Sequence, residues 1–167
     1  MLSVYFLVDV SESMVGNPIR QLEQGLAAVI RQLKADRAVA KTVGLSIVVF
    51  AGQAKTMVPL VDVGSVYLPK LPLGRGTSLS KGLDHLSYAL RENTNAIVGE
   101  QRKPIVFIIT DGAPAGNASD AVAEWKQVWS DSVNVVAVSL GKGPDLSLLA
   151  KLTENVFQLN GTTVNAY

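Results

Sequence analysis

The sequence predicts a doubly wound α/β fold, in which a mostly parallel sheet carries helices on both faces. The composition and the alternation of strands and helices predict it. Apolar residues make up 48% of the 167 residues and charged residues only 17%, a composition typical of a chain with a large buried core. Short, continuous apolar runs alternate with segments of helical spacing along almost the whole chain, as in sheets whose parallel strands are buried on both sides. Cysteine is absent, so no disulfide supports the core.

The first half of the chain predicts a strand, a helix and a strand pair. Asn17-Pro18 starts the helix, with Asn17 as its N-cap and Pro18 in its first turn, and apolar residues then recur at helical spacing from Ile19 to Leu33. The Gly52-Gln53 turn predicts that the second and third strands form a hairpin. The three predicted strands are Leu2–Val10, Val43–Phe50 and Ala54–Pro59.

The second half continues the alternation. A glycine-rich turn over Gly74–Ser78 opens a helix, and Pro144-Asp145 caps a short one near the end. Between them Trp125 and Trp129 stand one helical turn apart, which favours a core helix over a binding platform. The buried stripe of the first helix is Leu79, Leu83, Leu86 and Leu90, and the predicted strands are Ile105–Thr110, Val133–Leu140 and Val156–Leu159.

Charge and composition exclude several classes of function. Lys plus Arg is 15 and Asp plus Glu is 14, and no basic stripe is visible, so we expect no nucleic-acid partner. Without cysteine and with one histidine, thiol nucleophiles, zinc–thiolate sites and multi-histidine metal sites are excluded. No apolar run has the length of a membrane span, and the chain begins without a basic leader. We therefore expect a cytoplasmic protein with no membrane partner.

Polar clusters follow three of the predicted strands or their connections. Asp9, Ser11 and Ser13 alternate at the end of the first strand, Thr77 lies on the glycine-rich turn, and Asp111 ends the strand Ile105–Thr110. Ligand sites of open α/β sheets form at the carboxyl edge, where the strand order reverses. Two carboxylates and three hydroxyls make a hard oxygen site that suits Mg²⁺ or Mn²⁺, with water in the remaining positions. A carboxylate from another molecule could replace one of these waters. Such a replacement is a mechanism for adhesion and not for catalysis.

At these residues the sequence resembles the von Willebrand factor A domain and its metal-ion-dependent adhesion site (MIDAS). The family pattern is Asp-x-Ser-x-Ser, a distant Thr, and an Asp followed by Gly; here Asp9, Ser11, Ser13, Thr77 and Asp111-Gly112 match it. The resemblance covers the whole chain. It implies one domain over residues 1–167, with a C-terminal continuation compatible with the family. It also implies a six-stranded sheet with one antiparallel edge strand, and a divalent ion that bridges to an acidic residue of a partner protein.

In detail the chain looks similar to the stand-alone bacterial members of the tellurite-resistance TerY group. The stretches that carry this closer likeness are Tyr5–Met14, Val49–Gly52 and Leu71–Ser78. That likeness implies a module of a stress-response signalling system, with a PP2C-type phosphatase and a protein kinase as partners. We expect the chain alone to be a monomer.

Two alternatives stay open from the residues. Asp-x-Ser-x-Ser by itself also occurs as an ordinary turn with serines at a helix cap, and Asp-Gly is common turn chemistry; only their joint placement at strand ends favours a metal. The rival function is a Mg²⁺-dependent phosphotransfer enzyme using a strand-end aspartate. The haloacid-dehalogenase pattern needs a second aspartate where Ser11 stands, and no P-loop is present, so we expect no enzymatic activity.

Overall fold

The computed structural model describes residues 1–95, 102–111, 118–140, 146–160 and 163–166. Within them one sheet forms the centre of the molecule. Its strands are β1 (Leu2–Asp9), β2 (Val43–Phe50), β3 (Ala54–Asp62), β4 (Ile105–Thr110), β5 (Asn134–Leu140), β6 (Val156–Asn160) and β7 (Thr163–Ala166). The helices are α1 (Asn17–Ala35), α2 (Arg37–Thr42), α3 (Leu79–Asn95), α4 (Ala118–Trp129) and α5 (Ser147–Leu152).

The strand order is β3-β2-β1-β4-β5-β6-β7, which confirms the doubly wound fold class. Strands β2, β1, β4, β5 and β6 are parallel, and β3 returns antiparallel to β2 as the predicted hairpin. Because β1 pairs with both β2 and β4, the order reverses at β1. The carboxyl ends of β1 and β4 therefore mark the place where a ligand site of such a sheet belongs.

The structure adds a seventh strand to the predicted six, so both edges of the described sheet are antiparallel. Strand β7 pairs antiparallel with β6, from Asn160 opposite Thr163 to Phe157 opposite Ala166. The segment has one large apolar residue, Val164, and so lacks the apolar run that identified the other strands. Its strand conformation comes from pairing with β6.

Side chains of β1 alternate between two cores, as the two-residue period of a strand requires. Tyr5 and Leu7 join the core under α3, α4 and α5, whereas Phe6 and Val8 join the core under α1. Helix α1 covers its part of the sheet with Ile19, Leu22, Leu26 and Ile30. Beside α1, an apolar groove of about 420 Å³ runs over β4 and β5.

The start of α1 and the following helix differ from prediction. Asn17 is the first helical residue, and the N-cap is Gly16, whose φ of +86° suits a glycine. Helix α2 was not expected because none of its residues is buried. It forms because the Asp36 carboxylate caps it, accepting hydrogen bonds from the amides of Ala38 (2.9 Å) and Val39 (3.2 Å). None of the described helices has the length and apolar character to cross a membrane.

Candidate metal centre

Asp9 is the last residue of β1 and is completely buried. Its Oδ1 accepts a hydrogen bond from the amide of Ser11, and its Oδ2 accepts one from the hydroxyl of Thr110, both at 2.8 Å. The second contact follows from sheet register, since β4 runs beside β1 with Val8 opposite Ile109, so that Thr110 comes next to Asp9. Both carboxylate oxygens are therefore fixed in position by the protein.

Burial raises the pKa of Asp9, because the charged form loses solvation. Hydrogen bonds from Ser11 and Thr110 oppose this rise, and the negative charge of Asp111 adds to it. That influence places the Asp111 carboxyl within electrostatic range of Asp9. A buried carboxylate with a second carboxylate nearby is an environment that a bound cation would stabilise.

Ser11 and Ser13 present their hydroxyls side by side, 2.9 Å apart. A short 3₁₀ turn over Glu12–Met14 bends the chain there, and the fully buried Met14 anchors it in the core. Neighbouring ligands of an octahedral ion with metal–oxygen bonds of ~2.1 Å lie about 3 Å apart. The spacing of the two hydroxyls thus fits two adjacent coordination positions, as well as the hydrogen bond that they make with each other.

Thr77 lies on a loop that is fastened to the ends of β1 and β2. The amide of Gly74 donates to the carbonyl of Val10 (2.8 Å), the amide of Gly52 to the carbonyl of Arg75 (2.8 Å), and the amide of Ser78 to the carbonyl of Ala51 (2.7 Å). The loop is therefore at the carboxyl edge of the sheet. Thr77 is half-buried, and among the described residues its hydroxyl makes no hydrogen bond with the other four candidate ligands.

Glycines allow this loop to approach the strand ends. A Cβ on Gly52 would lie 2.6 Å from the carbonyl oxygen of Arg75, which is closer than real Cβ atoms come to backbone. Gly76 has a φ of +77°, in the left-handed region that glycine adopts without strain. Gly52, in the turn between β2 and β3, and Gly76, beside Thr77, therefore allow the loop to bring Thr77 to the sheet edge.

Asp111 follows β4 directly and is half-buried. Gly112, the next position of the motif, lies outside the described residues. The structure thus brings Asp9, Ser11 and Ser13 into direct contact and Asp111 into electrostatic range, while Thr77 is joined to them through the backbone of its loop.

The donor set fits a hard divalent cation. In the described part of the chain no group of three or more histidine, aspartate or glutamate side chains gathers, so carboxylates alone do not build a site there. At the end of β1, hydroxyls supplement the acidic groups, and every candidate donor is an oxygen. Oxygen-only sites with few charges suit Mg²⁺ and Mn²⁺, which retain water in the remaining positions.

Sequence reasoning missed two residues of this region, Thr110 and Ser139. Ser139 is completely buried on β5, opposite Thr110 in the sheet register, and its hydroxyl has no hydrogen-bond partner among the described residues. The signal was present as a polar residue at or next to the carboxyl end of β1, β4 and β5. Its meaning depended on strand order, since Asp9, Thr110 and Ser139 form a row across β1, β4 and β5.

Fold and site together define an α/β domain with a candidate metal centre at the topological switch point. The family model of the von Willebrand factor type A domain matches residues 3–163. The chain therefore belongs to the von Willebrand factor type A domain family, as the motif predicted.

Solved structures share the fold at low sequence identity. The chain is similar to BatB from Bacteroides thetaiotaomicron (TM-score 0.69, 14% identity, covering 97% of this chain and 92% of that one). It is similar to a von Willebrand factor type A protein from Catenulispora acidiphila (TM-score 0.72, 13% identity, 95% and 38%). A third is proximal thread matrix protein 1 from the mussel byssus, with a zinc-occupied MIDAS motif (TM-score 0.69, 16% identity, 96% and 44%).

The chain spans less than half of the length of the Catenulispora and mussel proteins. Comparison with curated protein sequences gives no match.

Proposed function

We propose that this chain is a divalent-cation-dependent protein-interaction module. Asp9, Ser11, Ser13, Thr77 and Asp111 hold Mg²⁺ or Mn²⁺, and the partner protein supplies an acidic side chain to the same ion. The observation that carries the proposal is the end of β1, where a fully buried carboxylate stands beside two hydroxyls spaced 2.9 Å apart. The zinc-occupied MIDAS motif of the mussel protein supports a divalent ion on this fold.

The preference for an acidic partner follows from the donor set. Three of the five proposed ligands are neutral hydroxyls, so a bound divalent ion would remain a strong Lewis acid. A carboxylate from outside both satisfies that charge and supplies an oxygen ligand. Ser13 is exposed and Thr77 and Asp111 are half-buried, so the partner side chain has access from solvent.

The surroundings of Asp9 argue against the rival phosphotransfer enzyme. A nucleophilic aspartate needs a free oxygen facing its substrate. Both oxygens of Asp9 accept hydrogen bonds and the residue has no exposed surface, so Asp9 cannot attack a substrate directly, whereas its negative charge can act on an ion through a bridging water. Ser11 stands where the haloacid-dehalogenase pattern needs its acid–base aspartate. These features support binding and not catalysis.

The cellular setting that we propose is a cytoplasmic tellurite-resistance or stress-response system, in which a PP2C-type phosphatase and a protein kinase are partners of a monomeric chain. Its support is the sequence likeness of Tyr5–Met14 and Leu71–Ser78 to the TerY group. A pull-down from native lysate in Mg²⁺ and in chelator, identified by mass spectrometry, tests it. Recovery of a phosphatase or kinase only with Mg²⁺ supports the setting, and recovery of unrelated proteins contradicts it.

Thermal unfolding with and without Mg²⁺ tests the metal site itself. If the dissociation constant is ~1 mM, ~10 mM Mg²⁺ stabilises the wild-type chain by about 1.4 kcal/mol. Asp9→Ala should abolish this stabilisation. Asp62→Ala is the matched control, because it also removes one carboxylate but does so away from the site. Asp62 is exposed and lies opposite Gly44, near the amino end of β2, whereas the site is at the carboxyl edge of the sheet. If the Asp9→Ala chain retains the full shift, the assignment is wrong.

A further inference from the structure

A small groove adjoins the candidate metal centre on the side of the β2–β3 turn. It has a volume of about 330 Å³, and Ala51–Gln53 and Lys55 line one wall while Pro72–Arg75 line the other. Val10, which lies between Asp9 and Ser11 in the chain, also lines it. Gly74 pairs with Ser11 as a parallel bridge, so the metal-site segment and the groove wall share one stretch of backbone.

The groove is positively charged. Lys55 and Arg75 both line it and are exposed, and the described residues that line it include no aspartate or glutamate. Within the described ranges neither side chain forms an ion pair or a hydrogen bond, so both charges are available to a ligand. On a chain whose formal net charge is only +1, two unpaired cations in one groove favour an anionic ligand.

Part of the rim of the groove is apolar. Leu73 is 46% exposed, and Pro72 beside it is also exposed. An apolar rim next to two cations suits a peptide, whose side chains offer both kinds of contact, better than it suits a bare anion. A nucleic acid would need a longer basic stripe, and the sequence has none.

We infer that the basic groove binds a second acidic side chain of the same partner segment that reaches the metal. The inference rests on the proposed function, in which a first acidic side chain of the partner binds the metal ion. It adds a second acidic side chain, which binds in the groove. The partner is then an acidic peptide segment with at least two carboxylates, one on the ion and one between Lys55 and Arg75, and with an apolar residue against Leu73. The two contacts together select paired acids over single ones.

A phage-displayed library of random linear peptides, panned on the wild-type chain in MgCl₂, tests this. We expect enriched peptides to carry two or more acidic residues. Synthetic copies are then measured by fluorescence anisotropy against Lys55→Gln/Arg75→Gln, which should weaken binding about tenfold, since each exposed ion pair contributes modestly. Arg37→Gln/Lys41→Gln removes the same charge from exposed positions on α2, near the amino end of β2, and should leave affinity unchanged.

The outcomes separate this inference from the proposed function. If Asp9→Ala and chelator abolish binding but the groove variant binds like wild type, the groove inference is wrong and the metal proposal stands. If chelator and Asp9→Ala change nothing while the groove variant weakens binding, the groove inference stands and the metal proposal fails. The groove inference is overturned if the enriched peptides lack paired acidic residues. It is also overturned if inorganic phosphate displaces the bound acidic peptide as effectively as a second acidic peptide does.

Discussion

The candidate metal centre has two unlike halves. The inner half consists of Asp9, Ser11 and Thr110, which are 0%, 1% and 2% exposed and are joined by hydrogen bonds. The outer half consists of Ser13, Thr77 and Asp111, which are exposed or half-buried. Asp9 and Thr110 are the last residues of β1 and β4, whereas the residues of the outer half lie on the connections that follow the strands. The difference suggests separate roles. The inner half fixes a negative charge in position, and the outer half contacts the ion and the partner side chain that enter from solvent.

The largest expected effect is at the centre of the inner half. Asp9→Asn keeps the size of the side chain and removes its charge. Metal affinity should fall by more than the ~10–100-fold that loss of an outer-shell partner costs. Calorimetric titration of Mn²⁺ into both chains measures this. If affinity changes less than that of an Asp111→Asn variant, the inner half is not the main source of charge for the ion.

The same variant makes a pH prediction for the metal-free chain. Burial raises the pKa of Asp9 in the folded state above the unfolded value near 3.8. The folded chain then takes up its proton at higher pH, so wild-type stability falls as pH rises through the interval between the two pKa values. In chelator, Asp9→Asn should therefore be more stable than wild type at neutral pH, and the gap should close as pH falls towards 3.8. Urea unfolding at several pH values measures the difference in unfolding free energy between the two chains. A difference that does not change with pH would contradict the raised pKa of Asp9.

The next effect concerns the attachment of the outer half. Gly52→Ala places a Cβ against the Arg75 carbonyl and should destabilise the chain by about 1–3 kcal/mol. It should also weaken Mg²⁺ binding, because the loop carrying Thr77 must shift. Gly25→Ala is the control: that exposed glycine of α1 has nothing within 4 Å of an added Cβ, and alanine there should stabilise by about 0.5–1 kcal/mol. Equal effects of the two changes on Mg²⁺ affinity would mean that the loop does not contribute to the site.

A smaller effect is expected at Thr77 itself. Thr77→Ala should leave the fold intact and weaken binding of an acidic partner peptide about two- to tenfold, the range of one hydrogen bond. Mg²⁺ binding without peptide should weaken less, since water can replace one hydroxyl. Anisotropy and calorimetry on the same variant compare the two losses. If peptide affinity and Mg²⁺ affinity fall by the same factor, Thr77 acts like a residue of the inner half, and the two halves do not differ in function.

The smallest effect is expected behind the inner half. The buried hydroxyl of Ser139 has no partner among the described residues, and an unsatisfied buried hydroxyl costs stability. Ser139→Ala should therefore be neutral or stabilise by up to about 1 kcal/mol, measured by urea unfolding. Destabilisation beyond that of a simple cavity would show that the hydroxyl is bonded, and would extend the hydrogen-bonded row from Asp9 through Thr110 to β5.

Local pattern was enough to predict the main elements. Val43–Phe50 and Ile105–Thr110 were predicted to the residue, because a buried parallel strand is a continuous apolar run. Two elements without buried apolar stripes were not predicted. Helix α2 depends on a carboxylate cap, and β7 depends on a neighbouring strand. The error at Asn17 has a similar cause, since the positive φ of Gly16 is a backbone property that composition does not reveal.

The residues of the candidate site also divide into those that local pattern predicts and those that depend on neighbouring strands. Asp9, Ser11 and Ser13 are close in sequence, so their alternation was enough to predict that they meet. Thr110 and Ser139 acquire their positions only when β1, β4 and β5 lie side by side, which is a matter of strand order and register. The role of all five proposed ligands in binding a metal stays a prediction until the titrations are made.

The placement of the two tryptophans decides how binding to this chain can be observed. Trp125 and Trp129 are the only tryptophans, and both are buried on α4. The indole N–H of Trp129 donates to the Ser87 hydroxyl at 3.0 Å, and the Arg91 guanidinium lies 5.8 Å from the ring centre. Helix α4 leads from the carboxyl end of β4 towards the start of β5, so Trp129 is at the far edge from Asp9. Intrinsic fluorescence should therefore report loss of the α3–α4 packing during unfolding and change little when an ion or peptide binds, so that titrations followed by fluorescence need an extrinsic dye.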